Sequence, residues 1–403
     1  MKNPNLTPDN QSSDHASDRM QTATILALFF VGLFLIQGVF LPYWPVWLKA
    51  QGLSAGEIGI LLSLPNWVRV FADPLIAQRA DRTGNRKTPM LWLGGIYVLS
   101  ILAFPVSSNF WWLAGLSVVI GFTFSPLLPL GTTITVHECK ARDLDYGRVR
   151  LWGSLAFIFA SYGAGWVLDG TSTSWIVWML FIAGIVNFAI LTRMPDPQTD
   201  RPLRSGSSLI YLLRKPVFLI YLGCIGFAQG AHGTYYSFAS VHWESVGYSH
   251  EMIGSFWSIG VIAEIALFAV AGRFVRGRHP GMLFALGAFA GIVRWLILGS
   301  TDNIWLIILV QPLHAMTFGI THLAAVSFIA RAIPQALATS AQSLMATLSM
   351  GVFLGSSIWA SGPLYENFGS QAYYAMAILS GIALAFSFWL MRSWRGEDQT
   401  FCD

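Results

Sequence analysis

Residues 38–63 read GVFLPYWPVWLKAQGLSAGEIGILLS, and residues 233–258, offset by 195 positions, read GTYYSFASVHWESVGYSHEMIGSFWS. The two stretches share 7 of 26 positions, in which Gly38, Val46, Gly52, Ser54, Ile58, Gly59 and Ser63 recur as Gly233, Val241, Gly247, Ser249, Ile253, Gly254 and Ser258. The offset is close to half of the 403-residue chain. A chain that repeats itself once at half its length is most simply built from two similar halves.

The composition is that of a membrane protein. Hydrophobic residues make up 54% of the chain and charged residues 11%, with a mean hydropathy of +0.56, whereas a soluble domain carries about 25% charged residues. Apolar runs long enough to span a bilayer, roughly 20 residues each, lie at 22–48, 56–78, 88–106, 109–131, 148–168, 174–192, 216–241, 251–272, 281–299, 303–327, 339–362 and 370–392. No segment sustains the period-two alternation of a β-barrel. We therefore expect an all-α membrane protein with twelve transmembrane helices in two pseudo-symmetric halves of six.

Basic residues are concentrated in every second loop. The loops after even-numbered spans carry almost all of the loop Lys and Arg residues, whereas the loops after odd-numbered spans carry only Lys49. The positive-inside rule then places both termini in the cytoplasm. The sequence pI near 9.0 follows from this topology, so we do not expect nucleic-acid binding.

The chain divides at its polar segments. Residues 1–20 lack the apolar core of a signal peptide, and residues 193–214 are rich in Pro and Arg. We predict a disordered cytoplasmic tail over 1–20, an N-terminal half over 21–192, a cytoplasmic linker over 193–214, a C-terminal half over 215–393 and a cytoplasmic tail over 394–403.

No cofactor is expected. Cys139, Cys224 and Cys402 are too few and too scattered for a disulfide framework or a metal site. The sequence contains no Gly-x4-Gly-Lys-Ser/Thr loop for ATP and no His-Glu-x-x-His metal-ligand pair. A membrane enzyme or sensor remains an alternative from a different functional class, although the cytoplasmic loops are short for a signalling domain.

The loop between spans 2 and 3 reads AQRADRTGNRK over residues 77–87. It resembles the cytoplasmic loop signature of the major facilitator superfamily, Gly-x-x-x-Asp-Arg-x-Gly-x-Arg-Arg, with the matching residues Asp81, Arg82, Gly84, Arg86 and Lys87. Alanine replaces the first glycine, and the second-half copy, Gly272-x-x-x-Arg276, lacks the acid. The resemblance implies a cytoplasmic gate in which Asp81 meets a basic side chain or a helix N-terminus. The alternative is an ordinary solvated basic loop.

Four segments indicate a particular group within this superfamily. Residues 41–48 (LPYWPVWL), 144–153 (LDYGRVRLWG) and 247–254 (GYSHEMIG), with Leu313-His314, resemble the 3-phenylpropionate permease group, a relative of lactose permease, and the similarity runs over roughly residues 25–390. It implies proton-coupled uptake of a small aromatic carboxylate across a bacterial inner membrane. The protein is then a transporter and not an enzyme, and we expect it to act as a monomer whose partners are its substrate, protons and the lipid bilayer.

Three ionisable residues near the middle of spans 8, 9 and 10 are candidates for proton coupling. An ionisable group inside a span costs roughly 2.5–3.5 kcal/mol on insertion scales and needs a reason to be there. Glu264 facing Arg294 provides a carboxylate whose affinity for a proton depends on a nearby cation, and His314 provides a relay or a substrate contact. In lactose permease-like proteins the matching positions couple protons. The alternatives are a static Glu264–Arg294 ion pair and a packing role for His314.

The predicted substrate site is short of negative charge. Lactose permease-like proteins carry an acid three residues after the span 10 histidine and another eighteen residues before the span 5 arginine, where this chain has Thr317 and Thr132. These departures favour an anionic substrate over a sugar. Arg150 either pairs with a substrate carboxylate or anchors the cytoplasmic end of span 5. The full set of candidate substrate contacts, each with ordinary helix packing as the alternative, is Gln37, Trp44, Arg150, Gln229, His232, Tyr236, Gln311 and Thr317.

Two further residues belong to the expected gate. Arg69 and Asp73 are four residues apart in span 2 and can pair with each other. Their position toward the cytoplasmic end favours a gate role over substrate contact. The predicted function is thus proton symport of an aromatic carboxylate by alternating access. A sugar or nucleoside symporter and a drug-efflux antiporter of the same fold remain alternatives.

Overall fold

The computed structural model describes residues 8–197, 207–275 and 277–396, and within these ranges it contains helices and no strand. The helices of this part of the chain are α1 (Pro8–Ala50), α2 (Ala55–Thr83), α3 (Lys87–Ala103), α4 (Phe110–Phe124), α5 (Leu127–Ala141), α6 (Tyr146–Asp169), α7 (Trp175–Leu191), α8 (Ser207–Leu213), α9 (Pro216–Gly230), α10 (Gly233–Ser245), α11 (His250–Val275), α12 (Pro280–Ser300), α13 (Ile304–Val310), α14 (Thr321–Ala332), α15 (Gln335–Ala346), α16 (Gly355–Phe368) and α17 (Tyr373–Ser393).

These helices form twelve membrane-crossing segments in the described part of the chain. Ten helical segments are long and apolar enough to cross a bilayer, and Trp175–Leu191 is a shorter apolar helix. The 57-residue segment Leu337–Ser393 contains two crossings, because Gly369 ends α16 with a φ of 56°, a left-handed conformation that glycine adopts without strain. The all-α prediction with twelve spans is confirmed.

The termini and the linker differ in detail from the prediction. Helix α1 begins at Pro8, so residues 8–20 of the expected disordered tail are helical, since they extend the first span. The linker contains the short helix α8. Trp394, at the start of the expected C-terminal tail, is buried against Phe328. The remainder of these segments, residues 1–7, 198–206 and 397–403, lies outside the described residues.

The repeat is visible in the packing. In the N-terminal half α3 packs along α7, and in the C-terminal half their repeat mates α12 and α17 pack along each other. Between the halves, α6 packs on α11 and α2 packs on α16. These interhalf contacts leave a central space that helices of both halves line.

Several spans are interrupted beside this central space. Span 4 breaks between α4 and α5 at Ser125–Pro126, and span 7 breaks between α9 and α10 at Ala231–His232. Span 10 passes through a 3-10 turn at Gln311–Leu313 and a π-helix at Ala315–Ile320, and span 11 contains a π-helix at Thr347–Leu354. Such irregular turns accompany functional sites in membrane helices, where backbone and side chains are redirected toward a cavity.

The two halves are closed against each other at one end of the bundle. This is the end at which α1 and α6 finish and α11 begins. A Cβ atom added at Gly165 would lie 2.3 Å from the His250 carbonyl oxygen, and one added at Gly254 would lie 2.3 Å from the Ser161 carbonyl oxygen. Only glycine permits this approach of α6 to α11. All interhalf hydrogen bonds between described residues lie at or near this end, which we call the closed gate.

Candidate functional site

The central space is a cavity of about 380 Å³, within the range of about 300–1,000 Å³ typical of small-molecule sites. Its wall is mostly apolar and rich in aromatic rings, and both halves contribute to it. The aromatic lining residues are Phe34, Phe40, Tyr97, Phe124, Phe157, Tyr235, Tyr236, Trp257 and Phe318. The ionisable lining residues besides tyrosine are Arg69, Arg150, Glu264 and His314. One carboxylate therefore faces two guanidinium groups and an imidazole.

Arg150 lies at the cavity wall near the start of α6. Its guanidinium carbon is 4.1 Å from the centre of the Phe34 ring and 5.1 Å from that of Phe30. It makes no hydrogen bond or ion pair with another described residue, and Glu264 is the acidic residue close enough to attract its charge. The two aromatic faces stabilise the cation without satisfying its N–H groups. The structure therefore places Arg150 in the cavity wall, and its pairing with a substrate carboxylate stays a prediction.

Glu264, His314 and Arg294 form a chain rather than the predicted facing pair. His314 lies between the two charged residues, with its Nε2 atom 3.7 Å from Glu264 Oε2 and its Nδ1 atom 3.2 Å from Arg294 Nη1. Because the guanidinium only donates, Nδ1 accepts its hydrogen and Nε2 carries the imidazole proton toward Glu264. Glu264 and Arg294 do not form the direct ion pair that the sequence suggested, since the span 10 irregularity places His314 between them.

Arg294 is fully buried behind the cavity wall. It donates to Gln311 Oε1 at 3.1 Å and to Thr317 Oγ1 at 3.3 Å, and it lies over the Tyr235 ring at 4.4 Å. The Tyr235 hydroxyl donates to the same Gln311 oxygen at 2.9 Å. Neutral oxygens and an aromatic face thus hold a buried cation, and Arg294 reaches the cavity only through His314.

His232, Gln311 and Thr317 support this chain and do not line the cavity. His232 is buried at the break in span 7, where Nδ1 donates to the Ala228 carbonyl at 3.0 Å and Nε2 is 3.1 Å from Thr317 Oγ1. Gln311 and Thr317 both accept hydrogen bonds from Arg294. The three were predicted as substrate contacts, and they lie one layer further from the cavity.

The remaining candidate contacts divide into two groups. Gln37 and Tyr236 line the cavity. Trp44 does not, because its ring stacks on Trp47 with centroids 4.7 Å apart, within a core cluster to which both halves contribute. Gln229 is buried in α9 and its Oε1 atom has no hydrogen-bond partner in the described structure. Gln37 and its repeat mate His232 were expected to face the cavity together, but His232 lies behind the wall, so the pseudo-symmetry does not extend to this pair.

Arg69 and Asp73 pair in α2, with Nε and Oδ2 3.4 Å apart. Ser125, at the break in span 4, donates to Asp73 Oδ1 at 2.6 Å. Arg69 also lines the cavity. The pair therefore connects the cavity wall to the break in span 4. Because Arg69 already has Asp73 as a partner, it is less available to a ligand than Arg150.

The residues of the loop signature bond to one another and to Asp196. Asp81 Oδ1 accepts from Arg86 Nη2 at 2.6 Å, and Gly84 ends α2 with a φ of 70°, which explains the glycine. The Asp196 carboxylate accepts from the backbone N–H groups of Arg86 and Lys87 at 3.2 and 3.4 Å and caps α3. Arg82 is exposed. The second-half partner Arg276 lies outside the described residues.

Sequence reasoning missed three parts of the site. Tyr235 is one, and its signal is the adjacent Tyr-Tyr pair in the repeat segment. Asp196 is another, for which the sequence gives no signal, because it caps a helix 110 residues away. The third is the closed gate around His250, and there the repeat is a signal: Lys49 and Glu244 are 195 residues apart and bond to each other at 3.5 Å.

The described residues include no group of three or more His, Cys, Asp or Glu side chains that could hold a metal ion. The chemistry of the site is thus that of hydrogen bonds, charges and aromatic faces. The arrangement can bind a small molecule through one unpaired guanidinium and several rings, and it can hold a proton on the Glu264 carboxylate.

Comparison with known proteins identifies the family. The sequence matches the model of the MFS_1 like family over residues 23–376. It is 32% identical over 366 residues to a protein of Escherichia coli (strain K12) named "Probable 3-phenylpropionic acid transporter", covering 90% of this chain and 96% of that one. It is 23% identical to the maltose permease of Geobacillus stearothermophilus, over 87% of this chain and 90% of the relative.

A solved structure shares the fold. A crystal structure of the nucleoside transporter NupG superimposes with a TM-score of 0.76 at 17% identity, over 92% of this chain and 98% of the other. The twelve-span architecture, the loop signature and the family match lead to one conclusion. The chain belongs to the MFS_1 like family of the major facilitator superfamily and is a multi-pass membrane transport protein.

Proposed function

We propose that this protein is a secondary active transporter that imports a small aromatic monocarboxylate together with a proton by alternating access. The observation that carries the proposal is Arg150, a guanidinium at the wall of an aromatic cavity with no hydrogen bond or ion pair to any described residue. A carboxylate matches a guanidinium through paired, charge-assisted hydrogen bonds. The rings around it match the phenyl group of such a substrate.

The charge balance of the cavity supports an anion. Arg69 has Asp73 as a partner, whereas Arg150 has only the attraction of Glu264 from the opposite half. A neutral sugar would leave the guanidinium unpaired. The name of the E. coli relative agrees with an aromatic acid, and we adopt 3-phenylpropionate as the test substrate.

In this proposal, proton coupling arises because the substrate carboxylate and Glu264 both interact with the Arg150 cation. Arg150 in α6 and Glu264 in α11 attract each other across the two halves. When a substrate carboxylate binds Arg150, Glu264 loses the benefit of that cation, and an ionised carboxylate without a partner is costly in an apolar cavity. Glu264 then takes up a proton, so substrate and proton favour each other's binding. The His314–Arg294 chain holds Glu264 in place, because His314 accepts from Arg294 at Nδ1 and presents its Nε2–H toward the Glu264 carboxylate.

The proposed orientation places the closed gate at the periplasmic face. The loop with the Asp81–Arg86 pair lies at the opposite end, where the basic loops predict the cytoplasm. In this state the cavity is sealed from the periplasm, as expected after substrate has entered and before it is released inward. We propose a bacterial inner membrane location with both termini cytoplasmic. One chain supplies the whole cavity lining, so a monomer is sufficient and no enzymatic activity is invoked.

The test is uptake of labelled 3-phenylpropionate into vesicles with an imposed pH gradient. We expect the wild-type protein to accumulate the acid when the outside is more acidic, and Glu264→Gln to equilibrate it without accumulation. A wild type that does not respond to the gradient, or a Glu264→Gln variant that accumulates normally, contradicts the coupling.

Competition in the same vesicles tests the substrate class. Unlabelled aromatic monocarboxylates should inhibit uptake, and the corresponding uncharged amides should not, because they cannot pair with Arg150. Inhibition by maltose or uridine at concentrations at which the acids have no effect would instead identify a sugar or nucleoside symporter. Resistance to toxic compounds on overexpression would point to an efflux antiporter.

A further inference from the structure

His250, the first residue of α11, is the point at which the closed gate converges. Its backbone N–H donates to Asp169 Oδ1 at 2.6 Å, and its carbonyl accepts from the Tyr43 hydroxyl at 2.9 Å. Its Nδ1 atom is 3.3 Å from Asp169 Oδ1, and its Nε2 atom is 3.3 Å from Glu244 Oε1. Asp169 belongs to the N-terminal half, whereas Glu244 and His250 belong to the C-terminal half.

This geometry requires a protonated imidazole. A neutral imidazole has one N–H donor and one nitrogen that only accepts, and a carboxylate oxygen also only accepts. In the closed gate both ring nitrogens face carboxylate oxygens. A neutral ring would therefore bring a lone pair against one of the two carboxylates, whereas an imidazolium donates to both.

The other charged and titratable groups of the gate point to the same protonation state. Lys49 of α1 is 3.5 Å from the second oxygen of Glu244, and Tyr162 of α6 donates to Glu251 of α11 at 2.6 Å. Around His250 the three carboxylates Asp169, Glu244 and Glu251 outnumber the single lysine. Without a charge on His250 this part of the gate would bring together a net charge of about −2, and an imidazolium reduces that repulsion.

Opening the gate changes this environment. When the halves separate, His250 keeps Glu244 on its own half and loses Asp169 on the other half. The open gate therefore binds the His250 proton less tightly than the closed gate does, and by linkage a proton on His250 favours closure. Lys49 also leaves when the halves separate, but it bonds to Glu244 rather than to His250, whereas Asp169 contacts the ring directly. The loss of Asp169 therefore decides the sign: acid at this face stabilises the closed gate, and a rise in pH weakens it.

We propose that His250 is a second proton-binding site, separate from Glu264, whose protonation by the medium at the gate holds the gate closed. The proposal goes beyond the transport function above and depends on no substrate. In the proposed orientation it makes the rate at which the empty carrier reopens outward fall as the periplasm becomes acidic.

The experiment measures gate closure against pH in the purified full-length protein in nanodiscs without substrate. Spin labels at Ser172→Cys and Val246→Cys, exposed positions on opposite halves at the gate, report the closed fraction in a background without the native cysteines. We expect the closed-to-open ratio to fall between about pH 5 and 8, by at most about tenfold per pH unit for one proton.

Four variants then test whether His250 is the group whose protonation changes the closed-to-open ratio. His250→Gln and Asp169→Asn should each flatten the response, the first by removing the titrating ring and the second by removing its interhalf partner. His242→Gln is the matched control, since His242 pairs with Asp302 at 2.7 Å inside one half and its loss should leave the response intact. Glu264→Gln should also retain it, which separates this site from the proton in the cavity.

The proposal is overturned if the wild-type closed fraction does not change with pH, or if His250→Gln titrates as the wild type does. A response that disappears in Glu264→Gln and persists in His250→Gln also overturns it, because the cavity proton would then control the gate. If His250→Gln does not fold, Asp169→Asn still tests the proposal. A folded Asp169→Asn protein whose closed-to-open ratio responds to pH as the wild type does overturns the proposal as well.

Discussion

The closed gate and the central cavity make opposite use of polar groups. At the gate, Tyr43, Asp169, Glu244 and His250 each bond to the opposite half or to a neighbour that does. In the cavity, Arg150 makes no hydrogen bond to a described residue, and the one ion-pair partner of Glu264 among the described residues is His314, at a long 3.7 Å. A satisfied region stabilises one conformation, whereas an unsatisfied one is ready for a ligand. The bonds of the gate thus stabilise the conformation in which the gate is closed, whereas the unpaired groups of the cavity are available to bind a ligand.

The largest effect is expected when the cavity loses its unpaired cation. Arg150→Gln should raise the concentration of 3-phenylpropionate needed for half-maximal uptake by roughly 10- to 150-fold, because a hydrogen bond to a charged group contributes about 1.5–3 kcal/mol. Substrate titrations of uptake in vesicles measure this directly.

Arg148→Gln is the matched control for that variant. Arg148 is an exposed arginine two residues earlier in the same helix and does not line the cavity, so its loss should leave the half-maximal concentration within about twofold. Equal effects of the two variants would place the contribution of Arg150 in the surface charge of α6 rather than in the site.

Next in size is the effect of wedging the gate open. Gly165→Ala places a methyl group 2.3 Å from the His250 carbonyl oxygen, and overpacking of this kind costs about 1–3 kcal/mol. The closed-to-open ratio, read from the gate spin labels, should fall by roughly 5- to 150-fold. Gly163→Ala is the control on the same helix, since an added Cβ there meets no atom within 4 Å. A Gly165→Ala protein that closes normally would refute the tight packing of α6 on α11.

A smaller effect is expected when the gate loses one hydroxyl. The Tyr43 hydroxyl lies 2.9 Å from the carbonyl oxygens of both Ser161 and His250 and shares its single hydrogen between them. Tyr43→Phe keeps the ring and removes the donor, so the closed-to-open ratio should fall by roughly 2- to 10-fold, in line with about 0.5–1.5 kcal/mol for a neutral hydrogen bond. An unchanged ratio would mean that water replaces the hydroxyl without cost.

The smallest effect is expected in the loop signature. Asp81→Asn removes the charge that pairs with Arg86, and a partly exposed ion pair contributes about 0.2–1 kcal/mol. The gate labels should report less than about a fivefold change in the closed-to-open ratio. A tenfold or greater change would show that this loop couples to the far gate in the present conformation.

The sequence predicted the architecture well, because the signals for it are local or periodic. Apolar runs of fixed length, the distribution of Lys and Arg and the repeat at an offset of 195 gave twelve spans in two halves. The same signals could not predict that residues 8–20 continue α1 as a helix, since a polar segment gives no periodic pattern. Helix propensity and the neighbouring span together decide that case.

The sequence predicted which residue types form the site, but it predicted less well which of them line the cavity and which lie behind its wall. Intramembrane charge identified Glu264, Arg294 and His314, yet the order Glu264–His314–Arg294 depends on a π-helix in span 10 that shifts the facing direction of its residues. Helical spacing alone therefore put Gln311 and Thr317 at the cavity, when the irregular turn places them behind it. Trp44 was misplaced for a different reason, because an aromatic residue at helical spacing fits a packed core equally well.

The proposed coupling requires that a substrate carboxylate and Glu264 share Arg150. Calorimetric titration of the purified protein with 3-phenylpropionate, repeated in buffers of different ionisation enthalpy, counts the protons that accompany binding. We predict net uptake of a fraction of a proton approaching one per bound substrate near neutral pH, and none in Glu264→Gln. Binding that takes up no proton in the wild type, or the same number in Glu264→Gln, would contradict the shared cation.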